Sequence, residues 1–558
     1  MKYEIPGTSY MGHLRFKFFS QIYYNLKSPA YWITSPTTTC GKNTNKSAYN
    51  RRMIKNRIPA FTLSLGILIL GLLVLLELIP EHEEEHMSKR SRLSPGTSEW
   101  DRWLKNTAIW SIYFFNTTNP DAVALGEKPK LHEFGPYMYE VTIRKANVEY
   151  HEWNGTVSYN ESSAFRYLAS RSKGAEEDKF VFPNIPLIAV ARGKKDSYFD
   201  RYHQPALDRH SNETLFVTFT VAEILHKGKQ SPLLKTYHET LQLHDELLNH
   251  NYKLGLFQPQ TYYTRGSTSE VKIGREPLLR EIGKLTRWAG MSKLSWNGKC
   301  GLISGSDGTI FPPHITESQD YPVFVPLFYR SVDFHFKGEI RTADGVNGYR
   351  FDLQQAVLEY PGKSDENSCF CQDSVDWMDP TSQEDTNATG KCPYNGTVGY
   401  PSYYEFDFIM SLPHFLYGAP ELRSMVEGMS PDENLHQSYF ELEPQSGLIL
   451  TSHQRIQINL DILNPSNIQT SHVANFSETA YPILWFDRYM TDLADPFVKR
   501  ALQGLERSLA DALLGPCKWL LCITAAVLLV GSAIWIAHHS NHVVKSDTLL
   551  TAGFSAAE

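Results

Sequence analysis

PHFLYGAPELRSMVEGMSPDENLHQSYFELEPQSGLILTSHQRIQINL runs from Pro413 to Leu460, and the fold turns on how it is read. At its end, Gln454–Leu460 sets Ile456 and Ile458 between polar neighbours, the period of two expected of a half-buried strand. Segments of similar character recur at Tyr137–Arg144, Leu215–Val221, Val323–Phe328 and Tyr349–Leu353, all rich in β-branched and aromatic residues. Asn297-Gly298, Asp307-Gly308, Pro312-Pro313 and Asn395-Gly396 mark turns between them. Ser231-Pro232 is an N-cap with proline at the first helical position. After it, Leu233, Leu234, Tyr237, Leu241, Leu247 and Leu248 form an apolar stripe that ends near Asn251. Residues 161–171 and 274–288 read as helical too. The expectation is an α+β domain with a strand-rich core and a helical insertion.

Two apolar runs frame this domain. Residues 58–79 read IPAFTLSLGILILGLLVLLELI and residues 519–537 read WLLCITAAVLLVGSAIWIA. About 20 apolar residues at 1.5 Å rise cross a hydrocarbon core of about 30 Å, so each run is long enough to span a bilayer as a helix. Residues 1–57 carry ten Lys and Arg against one acid, Glu4, whereas Glu81, Glu83, Glu84 and Glu85 follow the first run. The positive-inside rule therefore puts the N-terminus in the cytosol, and a second span returns the C-terminus there. The expected order is a cytosolic tail over 1–57, a signal anchor over 58–79, an ectodomain over 80–516, a second span over 517–537 and a cytosolic tail over 538–558.

The ectodomain has the marks of an extracytoplasmic compartment. It holds seven N-x-S/T sequons, at Asn116, Asn154, Asn160, Asn212, Asn387, Asn395 and Asn475, all expected to be glycosylated. It also holds Cys300, Cys369, Cys371 and Cys392. An even number of cysteines in an oxidising compartment points to two disulfides. A Cys369–Cys371 bridge would be strained, so two pairings stay open, against the alternative of buried free thiols. The chain's net charge is −7 and its N-terminal tail is basic, which leaves about −15 between the runs. That balance argues against nucleic acid as a partner.

Chemical motifs are few. His82-Glu83-Glu84-Glu85-His86 matches H-E-x-x-H, but it lies just beyond a membrane run with no apolar face to bury it, and reads as a solvated spacer rather than a zinc site. No G-x-S-x-G elbow, P-loop or G-x-G-x-x-G occurs, so neither an enzyme nor a cofactor or metal is expected. Lys194, Lys195, Arg201, His203, Arg209 and His210 form a cationic stretch in an acidic domain. It reads either as a binding surface for anionic ligands or as a solvated helix face balanced by Asp196, Asp200 and Asp208.

The Pro413–Leu460 stretch resembles the signature of the class B scavenger receptors, the group of the fatty-acid translocase, the lysosomal integral membrane receptor and the insect sensory neuron membrane proteins. Phe115–Pro120, Gly126–Pro129 with Glu133–Tyr139, and Cys300–Pro313 (CGLISGSDGTIFPP) are similar to that family in the same order. The resemblance covers about residues 58–540 and points to an invertebrate member. It implies an antiparallel β-barrel-like core traversed by a hydrophobic tunnel and capped by a helical apex at about 160–290, where the cationic stretch would face ligands. By position in the family pattern it implies the pairs Cys300–Cys369 and Cys371–Cys392. The cysteine that partners Cys392 in the vertebrate pattern, near Tyr329, is absent here. The N-terminal tail is longer than the family's usual one, and initiation at Met53 would restore the usual form.

The function so implied is a cell-surface receptor that binds lipids, lipoproteins or lipophilic pigments such as carotenoids and mediates their uptake. The alternatives are a recognition receptor for apoptotic cells or microbes, and a lysosomal membrane receptor. Homo-oligomerisation stays open.

Overall fold

The computed structural model describes residues 92–192, 197–241, 252–257, 268–274, 279–296, 298–360, 367–371, 392–399, 408–463, 468, 476–496, 498–500, 502, 523–535 and 538. The chain divides into two compact units, one of residues 77–514 and one of residues 1–76 with 515–558. In the second unit residues 523–535 are helical, with Ile523, Val527, Val530 and Ile534 exposed. No helix among the described residues is long and apolar enough to cross a membrane. The first apolar run and most flanking residues lie outside the described ones, as do the His82–His86 motif and the Met53 start.

The larger unit is built on one antiparallel sheet of 13 strands. In chain order the strands of this unit are β1 (Lys105–Thr117), β2 (Leu131–His151), β3 (Thr156–Tyr167), β4 (Lys179–Pro183), β5 (Phe216–Thr220), β6 (Lys229–Gln230), β7 (Lys253–Leu254), β8 (Ser269–Lys272) and β9 (Leu285–Arg287). They continue with β10 (Tyr321–Val325), β11 (Arg330–Arg341), β12 (Asn347–Leu353), β13 (Thr397–Gly399), β14 (Phe408–Ser411), β15 (Tyr439–Leu442), β16 (Ile449–Ile462) and β17 (Thr479–Met490). The main path runs β10-β11-β12-β15-β16-β17-β1-β2-β3-β8-β9, with β14 and β13 branching from β16. The ends β9 and β10 meet through Gly305-Ser306. Leu285 N donates to Gly305 O at 2.8 Å, Ser306 N to Pro322 O at 3.0 Å and Phe324 N to Ser306 O at 2.8 Å. These bonds satisfy the edges and curl the sheet into a near-barrel.

Alternation decides the two faces. On β2 and β3, Glu140 pairs with Arg166 at 2.6 Å on the exposed side, while Tyr139, Val141 and Ile143 are buried on the other. Strand β16 departs from the sequence expectation. Ile456 and Ile458 are buried as expected, but their polar neighbours Arg455, Gln457 and Asn459 are buried too. The segment before β15 folds over the outer face of the sheet and supplies their partners. Gln457 Oε1 accepts from His414 N at 2.7 Å, Asn459 Nδ2 donates to Ser411 Oγ at 3.0 Å, and Arg455 Nη1 donates to Gln437 O at 2.7 Å.

Two helical readings are corrected. Residues 161–167 continue β3, followed only by a short 3₁₀ turn at Ala169–Arg171. Their exposure alternates with period two, so Phe165 and Tyr167 meet Val141 and Tyr139 across the strand pair. Within 274–288 the described residues form a 3₁₀ turn at Leu279–Glu281 and β9. Helix-compatible residues misled in both places, Glu161, Ala164 and Arg166 in the first and Leu279, Arg280 and Glu281 in the second, because tertiary pairing outweighs weak helix propensity. The expected strand at Val323–Phe328 stops at Val325, where Pro326 begins a 3₁₀ turn; proline has no N–H to continue a ladder.

The helical insertion lies between β4 and β7. Helices at Ile185–Ala191, Ser197–Tyr202, Gln204–Arg209 and Pro232–Thr240 pack on one another. Ser231 caps the last of these, its hydroxyl accepting from Leu234 N at 3.3 Å. The expected continuation to Asn251, with Leu247 and Leu248, lies outside the described residues.

Candidate functional site

The inner face of the barrel carries large aromatic side chains that are not fully buried. Trp110 on β1 pairs with Arg488 on β17 and with Tyr139 on β2, so all three point inward. Trp110 stacks on Phe486 at 4.7 Å and meets Phe257 and Phe165 edge-on at 5.1 and 5.7 Å. Phe257 in turn meets Phe486 edge-on at 5.5 Å. These rings form an aromatic belt. Trp110, Phe165 and Phe257 stay only half-buried although they face inward, which an interior packed solid would not allow.

Beside that belt lies a charged one. Lys145 and Glu161 are cross-strand partners on β2 and β3. Lys145 Nζ lies 3.5 Å from Asp307 Oδ2 and over the Trp103 and Tyr159 rings at 4.9 and 5.1 Å. Tyr159 OH donates to the same Asp307 oxygen at 3.2 Å. Burial pushes the Glu161 carboxyl above the usual range, opposed by Lys145 and Arg488 and aided by Asp307. Asp307 directly follows the Gly305-Ser306 closure, so the residues that seal the barrel also deliver a carboxylate inside it.

A third cluster locks the outer face. His414 Nε2 donates to Glu133 Oε2 at 2.6 Å and Trp485 Nε1 to the same oxygen at 2.7 Å. His436 stacks on His414 at 4.6 Å. Burial and the neighbouring His414 bring His436 down to about 4. Among the described residues no group of three or more His, Cys, Asp and Glu could hold a metal.

The residues singled out from the sequence have varied placements. Cys300 is bonded to Cys369 and Cys371 to Cys392. Arg201 and Arg209 are exposed on their helices. His203 is buried instead: its Nδ1 donates to Val190 O at 2.8 Å, and Tyr237 OH lies 3.1 Å from its Nε2. His210 is half-buried against Thr236 Oγ1 at 2.8 Å. Lys194 and Lys195 lie outside the described residues. Asn212 and Asn395 are exposed, Asn154 sits in the β2–β3 turn and Asn160 on β3. Asn116 lies within β1 with its amide oxygen accepting from Val181 N at 2.8 Å. Asn387 and Asn475 are outside the described residues. The two belts were not anticipated, because only cross-strand register brings their members together.

Comparison with known proteins points one way. The model of the CD36 family matches residues 62–536. Lysosome membrane protein 2 of Rattus norvegicus is 29% identical over 432 residues, 74% of this chain and 83% of that protein. Sensory neuron membrane protein 1 of Apis mellifera is 27% identical over 461 residues, 78% and 83% of the two chains. Scavenger receptor class B member 1 of Rattus norvegicus is 25% identical over 436 residues, 76% and 80%.

Proposed function

The chain belongs to the CD36 family, and from that premise we propose that it is a membrane-anchored receptor for lipids, lipoproteins or lipophilic pigments. Its apolar cargo enters the barrel and passes through the interior to the bilayer. The observation that carries this reading is the half-buried aromatic belt of Trp110, Phe165 and Phe257 on the inner face. Exposed rings inside a closed sheet cost free energy unless apolar matter covers them. The physical need is large: an acyl chain of about 15 methylenes costs about 12 kcal/mol in water, at about 0.8 kcal/mol each. An apolar conduit removes most of that barrier, and moving an intact lipid needs no bond chemistry, so we infer a transport role rather than an enzymatic one.

The two apolar runs anchor the barrel at both ends, with both tails cytosolic, at the plasma membrane or, as the alternative, a lysosomal membrane. Arg201 and Arg209, exposed on the helical insertion, support a second reading in which that surface recognises anionic particles. The test is uptake of a labelled lipid by cells expressing Phe165→Lys. A charge in the belt should abolish uptake at unchanged surface expression; undiminished uptake would refute the conduit.

A further inference from the structure

Three rings of the aromatic belt stand on the sheet, Trp110 on β1, Phe165 on β3 and Phe486 on β17, where ladder bonds hold their backbones. Phe257 stands apart. It lies in the stretch 252–257, which hangs on the turn Glu223–Lys227 that follows β5. Leu256 N donates to Ile224 O and Phe257 N to Leu225 O, both at 2.7 Å. The local sequence explains why those carbonyls are open to it. Thr220 and Glu223 cap the turn reciprocally, Thr220 N donating to Glu223 Oε2 at 2.8 Å and Glu223 N to Thr220 Oγ1 at 3.2 Å. Gly228, with φ of +70°, ends it. Gly228 N reaches back five residues to Glu223 O at 3.0 Å, so the turn is a π-helix. Ile224 O, the acceptor four residues back, is thereby left for Leu256.

The turn is itself fastened to the barrel. His226 Nε2 lies 2.9 Å from Glu176 Oε1, and Tyr139 OH, from β2, donates to the same oxygen at 3.0 Å. The His226 ring lies near-parallel to Phe165 at 6.2 Å. Phe257 therefore enters the belt at a fixed place, edge-on to Trp110 and Phe486 at 5.1 and 5.5 Å and face-on to Phe165 at 6.4 Å. Ring centroids about 4.5–7 Å apart are in contact, so nothing passes between Phe257 and those rings. Cargo meets instead the exposed parts of Trp110, Phe165 and Phe257. A flexible chain bends past a fixed ring by turning about its single bonds. A rigid fused-ring body cannot, and a packed interior does not deform to admit it.

Resting on the conduit reading above, we propose that Phe257 is a specificity-determining residue that narrows the belt, so that single flexible hydrocarbon chains are accepted and rigid fused-ring lipids are held out. The experiment measures binding of radiolabelled hexadecanol and cholesterol, both uncharged alcohols, to the purified full-length chain. The wild type should favour hexadecanol by about tenfold, the discrimination that shape gives an apolar pocket. Phe257→Ala should bring that ratio to about one by gaining cholesterol, with hexadecanol affinity retained, which also shows that the variant folds. Phe257→Leu, which keeps an apolar contact but loses the flat ring, should move the ratio the same way by a smaller factor, and it decides the case should the alanine variant lose hexadecanol as well. A ratio that neither substitution moves, or equal affinities in the wild type, overturns the proposal and leaves the conduit standing. Binding of neither compound by the wild type overturns both.

Discussion

His414 donates its Nε2 proton to Glu133 Oε2 across 2.6 Å, joining residues 281 positions apart in the chain. Ser430 N donates to His414 Nδ1 at 3.2 Å, which leaves the ring proton on Nε2. Trp485 approaches the same carboxylate oxygen. Together they pin the segment before β15 onto the outer face of its own sheet. Glu133→Gln, which removes the charge but keeps the shape, should cost about 2 kcal/mol, and His414→Ala about 3 kcal/mol. Denaturant melts check both; midpoints equal to wild type would contradict the role of this pair.

Acidification should loosen the same cluster. His436 is brought from 6.5 to about 4 by burial and then by His414, so its neutral form belongs to the folded state. Its contribution to stability is full above pH 6.5 and is lost as pH falls toward 4, up to about 3 kcal/mol. Glu133 adds to the loss at lower pH. Burial raises its pKa, but hydrogen bonds from His414 and Trp485 outweigh that and hold it below 4.5, so its share persists until pH falls below that value. Thermal melts from pH 7 to 4 should show a falling midpoint, and His436→Asn should flatten the decline between 6.5 and 4. Parallel declines in both proteins would count against this assignment.

The barrel closure depends on one glycine. Gly305 has φ of +77°, and an added Cβ would stand 1.9 Å from the Pro322 carbonyl oxygen. Gly305→Ala should therefore cost about 3 kcal/mol or more. Gly96, with φ of +85° and open space around it, should cost only about 1 kcal/mol on the same change. Equal effects at the two positions would show that Gly305 is not limited by its close contact.

The disulfides differ in the length of chain they close. Cys300–Cys369 spans 69 residues and Cys371–Cys392 spans 21. On the chain-entropy model, Cys300→Ser with Cys369→Ser should cost about 4 kcal/mol, and the shorter pair about 3. Non-reducing peptide mapping should recover these pairings; a Cys300–Cys392 peptide would contradict them.

Much of the sheet was legible because period-two patterning is local. Tyr137–Arg144, Tyr349–Leu353 and Arg455–Leu460 all fall within strands. What stayed hidden is non-local. The closure at Ser306 consists of isolated bridges to Lys284 and Val323, which leave no periodic trace. Arg455, Gln457 and Asn459 looked solvent-facing because nothing in their spacing shows that an upstream segment covers them. His203 looked like a surface cation for the same reason: its burial depends on Val190 and Tyr237. Cysteine pairing came from family resemblance, since spacing alone left two arrangements open.

A conduit requires that the barrel interior hold lipid. Mass spectrometry with visible absorbance of the material extracted from the purified full-length protein tests it most directly. A lipid or lipophilic pigment is expected in about stoichiometric amount, reduced by Phe165→Lys. A well-folded protein that yields none, and takes none up when supplied, would contradict it.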